Sequence, residues 1–163
     1  MRNSFKPIKP EEIGGNVFTM IGTDWMLVTA GTLESYNTLT ASWGGMGHLW
    51  RRNVCFTFIR PSRYTFDFME KSQYFTLCFF EEKYRSVLNF CGSRSGRDVD
   101  KAKETGISPA ATDNGSVYFT EARLVIECEK IYYHDVMPKQ FIKKEIDELY
   151  PNGDYSRMYI GEI

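Results

Sequence analysis

The chain has 163 residues, of which 42% are hydrophobic and 25% charged, and a formal net charge of −1. This length favours a single domain, residues 1–163, that can bury a substantial core. A nearly neutral chain lacks the global field that recruits nucleic acid or an anionic membrane. No apolar run is long enough to span a bilayer, and residues 1–12 lack the apolar stretch of a secretory signal. We therefore expect a cytoplasmic protein with no nucleic-acid or membrane partner.

Strands dominate the predicted secondary structure. Aromatic residues make up 15% of the chain, and aromatic enrichment favours β-sheet. The run YFTLCFF is apolar on both faces, so we expect it to be covered on both sides. Six segments are predicted as strands of a closed or nearly closed antiparallel sheet, namely 26–30, 54–59, 74–80, 117–119, 122–133 and 157–160.

The predicted helices are short and lie at the periphery. Cap residues, helix-ending glycines and an opening proline mark their bounds. The segment 107–116, ISPAATDNGS, has the composition of a loop. Four helices are expected, namely a turn capped by Thr65, 81–92 ending at Gly92, 99–104 capped by Asp98 and stopped by Gly106, and 138–149 opened by Pro138.

The four cysteines are Cys55, Cys78, Cys91 and Cys128. None forms a C-x-x-C pair, and a zinc site needs closely spaced pairs. Three of them lie inside apolar runs. We expect buried free thiols, with neither a disulfide nor a metal site.

The common catalytic motifs are absent from the sequence. It contains no phosphate-binding P-loop, no dinucleotide fingerprint, no H-E-x-x-H and no G-x-S-x-G. The two histidines, His48 and His134, do not lie beside an obvious nucleophile motif. No catalytic side chain is predicted, and this composition suits binding or chemistry carried by a cofactor.

Three segments are rich in groups that hold a polar, planar, anionic ligand. In the first, NTLTASWGG, Thr38, Thr40 and Ser42 alternate along a strand and therefore point to one face. Small residues beside them let a ligand approach the backbone. A threonine-rich edge strand followed by a glycine turn explains this segment equally well.

The other two segments carry arginines and hydroxyls. RPSRYT, residues 60–65, enters a helix, whose N-terminus favours anions. CGSRSGRD, residues 91–98, offers backbone N–H groups and arginines between two helices. The alternatives are a solvated charged loop and a Gly-Ser linker. Three signals of one kind in a small domain favour one anion-binding site.

These segments carry a resemblance to a known family. N-T-x-T-A-S-W-G and S-G-R-D-V-D-K occur in the same order as in flavin reductase-like, flavoredoxin-type proteins, and the resemblance covers nearly the whole chain. It implies a mainly β fold, the FMN-binding split barrel, with six antiparallel strands in Greek-key order and short peripheral helices. It also implies a homodimer and FMN as the cofactor.

The resemblance further implies which residues contact FMN. One group lines the isoalloxazine ring or ribityl chain, a second holds the phosphate, and a third closes over the phosphate end. The three groups are Thr40, Ala41, Ser42 and Trp43; Ser62, Arg63 and Thr65; and Cys91, Ser93, Ser95 and Arg97.

The predicted function is that of a flavin reductase-like oxidoreductase. Electrons pass from NAD(P)H through FMN to a flavin, a metal or a protein acceptor. One alternative is a flavoredoxin-type electron carrier that has no nicotinamide site and is reduced by a redox protein. Another is a flavin-free binding module that uses surface aromatics and arginines on single-stranded nucleic acid.

Overall fold

In the computed structural model, which describes residues 5–163, seven strands form one antiparallel sheet in the order β2-β1-β5-β8-β9-β4-β3. Residues 1–4, which belong to the segment 1–12 that lacks the apolar stretch of a secretory signal, lie outside the described range. The sheet strands are β1 Met26–Thr32, β2 Ser35–Ala41, β3 Gly44–Leu49, β4 Arg52–Ile59, β5 Tyr74–Phe79, β8 Leu124–Asp135 and β9 Arg157–Glu162. β6 Pro109–Ala111 and β7 Val117–Phe119 form a separate two-stranded ribbon.

The sheet curls around one core without closing. β2 and β3 lie at its two ends and do not pair with each other. Buried side chains from β1, β2, β4, β5, β8 and β9 meet in one cluster that includes Met26, Phe75 and Tyr159. A second cluster on the opposite face packs β1 and β5 against helices and includes Leu27, Cys78 and Leu88. This open, curled sheet fits the expected split barrel.

The helices are short and peripheral, as predicted. They are α1 Val17–Thr19, which continues into a π-helical turn at Met20–Asp24, α2 Tyr64–Lys71, α3 Arg85–Ser93 and α4 Lys101–Thr105. Short 3₁₀ helices occur at Pro10–Glu12, Glu82–Tyr84, Pro138–Gln140 and Lys144–Leu149. Among residues 5–163, no helix has the length and apolarity needed to cross a membrane.

Several predicted helix ends were wrong by one or two residues. Thr65 lies inside the first turn of α2, where its hydroxyl accepts a hydrogen bond from Asn37 Nδ2 at 2.9 Å. α3 continues through Gly92. Asp100, and not Asp98, caps α4 by accepting from a backbone N–H three residues later. The predicted stop at Gly106 is confirmed, because its φ of 74° is left-handed and glycine adopts that region without strain.

Two larger predictions were also wrong. The expected helix over 138–149 is replaced by two short 3₁₀ helices, and Phe141 between them stacks against Tyr150 with ring centroids 6.3 Å apart. The expected loop over 107–116 contains β6, which pairs with β7. In both segments tertiary packing overrides the local pattern.

The predicted strand over 117–119 is β7, which lies in the separate ribbon and not in the main sheet. The main sheet instead contains two strands that were not among the six predicted segments, namely β2, which only the alternating hydroxyls indicated, and β3, which was not predicted at all. β3 pairs with β4 through a two-residue turn, Trp50–Arg51, with φ of 53° and 61°. Such turns need left-handed residues and usually carry Asn-Gly, so the sequence gives no hairpin signal here. The prediction of buried free thiols is confirmed for all four cysteines.

Thr57 offers a test of the core. Its hydroxyl is buried and lacks a hydrogen-bond partner within residues 5–163, and an unsatisfied buried hydroxyl destabilises the folded state. Thr57→Val should therefore raise the free energy of unfolding by about 1 kcal/mol, measured by urea titration. In the matched control Thr76→Val the lost hydroxyl donates to Val117 O at 2.5 Å, so stability should fall by about 1–3 kcal/mol. Equal losses in both variants would contradict this assignment.

Candidate functional site

Two adjoining cavities lie beside β2. The first, the Trp43 cavity, has a volume of about 200 Å³. It brings together all four residues predicted from the first segment, Thr40 to Trp43, with the end of β4 and Arg63. Its lining is Leu39, Thr40, Ala41, Ser42, Trp43, Phe58, Ile59, Arg60, Arg63 and Ser156.

An aromatic and cationic stack forms the outer wall of the Trp43 cavity. The Trp43 ring, 38% exposed, meets Tyr150 edge-on at 5.8 Å. The Arg60 guanidinium lies 5.6 Å from the Trp43 ring and 4.9 Å from the Tyr150 ring. Arg60 also pairs with Asp154 at 3.3 Å and donates to Leu149 O at 2.8 Å. The segment between β8 and β9 therefore holds this wall in place.

The alternating hydroxyls of β2 face the protein. Thr38 Oγ1 donates to Val28 O at 3.2 Å, and Thr40 Oγ1 donates to Leu88 O at 2.5 Å. These hydroxyls fasten β2 to β1 and α3. The alternation correctly indicated a strand, but the hydrogen bonds of both threonine hydroxyls are made within the fold.

The second cavity, the Lys101 cavity, has a volume of about 230 Å³. It joins the second and third predicted segments, which lie about 30 residues apart in the sequence. Arg63 lines both cavities, so they adjoin at its side chain. Its lining is Asn37, Ser62, Arg63, Tyr64, Thr65, Gly92, Ser93, Arg94, Ser95, Gly96 and Lys101.

Lys101 places a buried cation in this cavity. The residue is 5% exposed, and Nζ donates to Thr38 O at 2.7 Å and to Cys91 O at 2.8 Å. Burial lowers the pKa of Lys101 to about 8, and the positive charge of Arg63 acts in the same direction. The Arg63 pKa is also lowered, first by burial and then by Arg60.

Neither cation has an acidic partner among the residues that the structure describes. Lys101 and Arg63 are absent from the ion pairs of residues 5–163, and Arg63 Nη2 instead donates to Gly92 O at 3.1 Å. Buried charges are normally paired. Two unpaired cations beside hydroxyls and the N-terminus of α2 form a site suited to a compact anion such as a phosphate.

Two predicted site residues lie outside both linings. The Cys91 side chain packs in the second core cluster, where burial raises its pKa to about 11. Arg97 pairs with Asp67 at 3.2 Å and lies over the Tyr64 ring at 4.6 Å. Ser62 does line the Lys101 cavity, but its hydroxyl donates to Asp154 Oδ2 at 2.7 Å.

Sequence reasoning missed Asn37 and Lys101. Both lie within the quoted motifs, Asn37 at the start of NTLTASW and Lys101 at the end of SGRDVDK. Lysine is almost never fully buried, so position 101 was predicted only as part of the helix over 99–104. The apolar Ala102 and the capped first turn were the signals that this helix packs inward.

No group of three or more His, Cys, Asp or Glu in residues 5–163 could hold a metal ion.

Comparisons with known proteins agree with the fold. A family model described as "flavin reductase like domain" matches residues 19–138. The structure is similar to an FMN-binding protein from Thermus thermophilus, at 19% identity and a TM-score of 0.68, covering 98% of this chain and 78% of that one. Flavoredoxin of Desulfovibrio vulgaris is 20% identical with a TM-score of 0.67, covering 96% and 74%.

A Shewanella frigidimarina protein described as a flavin reductase with a split barrel domain has a TM-score of 0.65 at 16% identity, covering 90% of this chain and 69% of that one. At such identities the likeness shows a shared fold, and it confirms the predicted split barrel. No curated protein matches the chain.

The buried ammonium group generates a pH-dependent prediction. The pKa of Lys101 is about 8 in the folded chain against an ordinary value of 10.5, so between these values the unfolded chain binds more protons. The free energy of unfolding should therefore rise with pH across this window, by at most about 1.4 kcal/mol per pH unit. Urea titrations from pH 7 to 10.5 should show this slope in the wild type and its loss in Lys101→Met.

Lys103→Met is the matched control, because Lys103 is exposed on the same helix. It should keep the slope of the wild type. Parallel stability curves for the wild type and Lys101→Met would contradict a charged, buried Lys101.

Proposed function

The chain belongs to the flavin reductase-like family, and we propose that it binds FMN beside β2 and acts as a flavin reductase-like oxidoreductase. The observation that carries this proposal is the adjoining pair of cavities. One cavity is lined by apolar residues around Trp43 together with hydroxyls and arginines, and the other contains the unpaired cation Lys101 and shares the second, Arg63, with the first. A ligand with a planar ring at one end and a phosphate at the other fits this pair. The Thermus thermophilus protein of the same fold is described as FMN-binding.

At the phosphate end, the proposed contacts are the groups that line the Lys101 cavity. Arg63 and Lys101 supply charge that the fold leaves without a carboxylate. Hydroxyl and backbone donors supply further hydrogen bonds, and charge-assisted bonds of this kind are the strong ones. The predicted phosphate contacts that line this cavity are Ser62, Arg63, Thr65, Ser93 and Ser95.

At the ring end, Thr40, Ala41, Ser42 and Trp43 are proposed to line the ring or the ribityl chain. Cys91 and Arg97 are proposed to act indirectly. The Cys91 carbonyl holds Lys101 Nζ, and the Arg97 guanidinium donates to Ser62 O at 3.4 Å. Both contacts help to keep the 91–97 loop beside the phosphate end.

The chain has to supply binding and orientation. FMN, when bound, supplies hydride and electron transfer, so no side chain has to act as an acid or base. The donor is proposed to be NAD(P)H and the acceptor a flavin, a metal or a protein. The similarity to flavoredoxin supports a second candidate, an electron carrier that accepts electrons from a redox protein.

A homodimer is also proposed. Trp50 and Tyr132 are 54% and 42% exposed, and their rings meet edge-on at 5.4 Å. Clustered exposed aromatics are typical of protein interfaces. The pair lies where the β3–β4 turn meets β8, on the side of the sheet that a second copy is proposed to cover.

Arg63 provides a test of the phosphate end. Arg63→Ala should weaken FMN binding by roughly 10–100-fold, because a hydrogen bond to a charged group contributes about 1.5–3 kcal/mol. Binding of riboflavin, which lacks the phosphate, should change much less. Fluorescence titration measures both ligands. Arg97→Ala is the matched control, since that side chain pairs with Asp67, and it should weaken FMN less. Equal losses for FMN and riboflavin would refute the phosphate assignment.

The enzyme and carrier functions differ in their electron donor. In stopped-flow experiments, NADH or NADPH should reduce the bound flavin if the chain is a reductase. Reduction by a low-potential redox protein but by neither nucleotide would favour the carrier. A colourless protein that gains no flavin spectrum when FMN is added would reject both.

A further inference from the structure

Lys101 carries a nucleophilic nitrogen that the proposed flavin function uses only as a charge. Its Nζ donates to Thr38 O at 2.7 Å and to Cys91 O at 2.8 Å, and no other atom of residues 5–163 accepts from it. An ammonium group has three N–H donors, so one of them is left without a protein acceptor. An unprotonated amine has two N–H donors and a lone pair. The two carbonyls satisfy both donors and leave the lone pair available to react.

The groups around Lys101 favour the unprotonated amine. Burial lowers the pKa of Lys101 to about 8, and Arg63, at the start of α2, acts in the same direction. The neighbouring thiol of Cys91, on α3, has its pKa raised to about 11, so it is uncharged at neutral pH. A desolvated lysine beside a second cation is a known form of an activated nucleophile. At pH 8 roughly half of Lys101 is unprotonated, against roughly one in 300 for a lysine with a pKa of 10.5.

Lys130 shows what distinguishes Lys101 from another partly buried lysine. The Lys130 Nζ also donates to two carbonyls, those of Met69 and Glu70, and burial lowers its pKa. The Glu70 carboxylate, however, acts in the opposite direction and favours the ammonium form. Lys101 instead lies in a cavity that it shares with the guanidinium of Arg63. Lys101 thus combines an available amine with a site for an anion, whereas Lys130 faces a carboxylate.

The Lys101 cavity holds further groups that would bind a phosphate beside this amine. Arg63 Nη2 donates to Gly92 O at 3.1 Å, and the other N–H groups of this guanidinium have no acceptor within residues 5–163. The Ser95 hydroxyl accepts from Arg97 N at 3.2 Å, which leaves its own proton free to donate. The volume of about 230 Å³ admits a phosphate together with a small acyl group. A phosphate joined to an electrophilic carbon is therefore the ligand that this cavity would bring to the amine.

We propose that Lys101 is an acylation site whose acyl donors are acyl phosphates, the mixed anhydrides of a carboxylic acid and phosphoric acid. The phosphate of the donor binds to Arg63, and the unprotonated Nζ attacks the acyl carbon. A C–N bond forms and the C–O bond to the phosphate breaks. The phosphate leaves with the electron pair of that bond and takes the surplus proton of the nitrogen, so neither an oxidant nor a reductant is needed.

Acylation would change the site in two ways. It removes the charge of Lys101, and it places an acyl group where the FMN phosphate is proposed to bind. FMN affinity should therefore fall about tenfold in the acylated protein, since a charge-assisted contact is lost. Riboflavin affinity should change much less. This consequence, unlike the acylation itself, rests on the proposed flavin function.

The test treats the flavin-free protein with acetyl phosphate at pH 8 and follows each lysine by peptide mass spectrometry. Lys101 should be acetylated about tenfold faster than Lys103 and Lys130, because a larger fraction of it is unprotonated and the donor binds beside it. Lys103 is the control for exposure, since it is exposed on the same helix, and Lys130 is the control for a lowered pKa. Inorganic phosphate should compete with the donor and slow the reaction at Lys101 alone.

A reagent without a phosphate separates binding of the donor from basicity of the amine. N-acetoxysuccinimide has no anionic group to bind, so it should acetylate the exposed Lys103 ahead of the buried Lys101. Arg63→Ala should slow the reaction of Lys101 with acetyl phosphate about tenfold. Arg97→Ala is the matched variant and should keep the wild-type rate, because that side chain pairs with Asp67.

The outcomes separate this proposal from the flavin function. Lys101 reacting with acetyl phosphate no faster than Lys103 or Lys130, or without protection by inorganic phosphate, overturns the acylation site. An equal preference for Lys101 with both reagents also overturns it, because the phosphate would then have no part in the reaction. Acetylated protein that binds FMN as tightly as before keeps the acylation site and contradicts the placement of the FMN phosphate. Unmodified protein that binds no FMN refutes the flavin function, whatever the result at Lys101.

Discussion

The ammonium group of Lys101 connects three parts of the chain at one buried point. It extends from α4 to the carbonyl of Thr38 on β2 and to the carbonyl of Cys91 on α3. These bonds join α4 to β2 and to the start of the 91–97 loop. The same ammonium has no acidic partner within the described residues, and a buried cation without one is costly. The proposed anionic ligand would offset this cost when it binds beside Lys101.

β2 runs through the rest of the site, and its two faces make different contacts. The face of Thr38 and Thr40 packs on the protein, and hydroxyl bonds to neighbouring carbonyls fasten it. The opposite face holds Leu39 and Ala41 in the main core and Asn37 against Thr65. As an edge strand, β2 leaves one long side uncovered by the sheet, and the Trp43 and Lys101 cavities lie along it. A strand at the border of the sheet would therefore contact both ends of the proposed ligand.

The sequence predicted the parts of this arrangement that depend on local pattern. The run over 74–80 is apolar on both faces, and it forms β5, whose two faces pack in the two core clusters as predicted. The hairpin of β3 was missed because Trp50 and Arg51 adopt left-handed angles that usually need Asn-Gly. Turn chemistry alone cannot reveal a turn whose unusual angles are imposed by tertiary contacts, here the packing of Trp50 on Tyr132.

The sequence also predicted that two of the three segments meet. Arginines, hydroxyls and glycines in loops indicate anion binding wherever they meet, and the structure does bring 60–65 and 91–96 together. The local sequence could not reveal that Lys101 is buried, since the carbonyls that accept its hydrogen bonds belong to residues 63 and 10 positions away. Arg97 was expected at the phosphate, but Asp67, on the neighbouring helix, pairs with it. Which carboxylate pairs with a given arginine depends on the fold and not on spacing in the sequence.

The segment between β8 and β9 contributes to both ends of the site. All residues that line the Lys101 cavity fall within 19–138, the region that the family model matches. The wall at Trp43 depends in addition on Tyr150 and Asp154, which lie beyond it. Arg60 links them, since its guanidinium lies over both rings and pairs with Asp154. Asp154 also accepts a hydrogen bond at 2.7 Å from the hydroxyl of Ser62, which lines the Lys101 cavity. The segment between β8 and β9 therefore supports both ends of the site, and a change at Asp154 should disturb both.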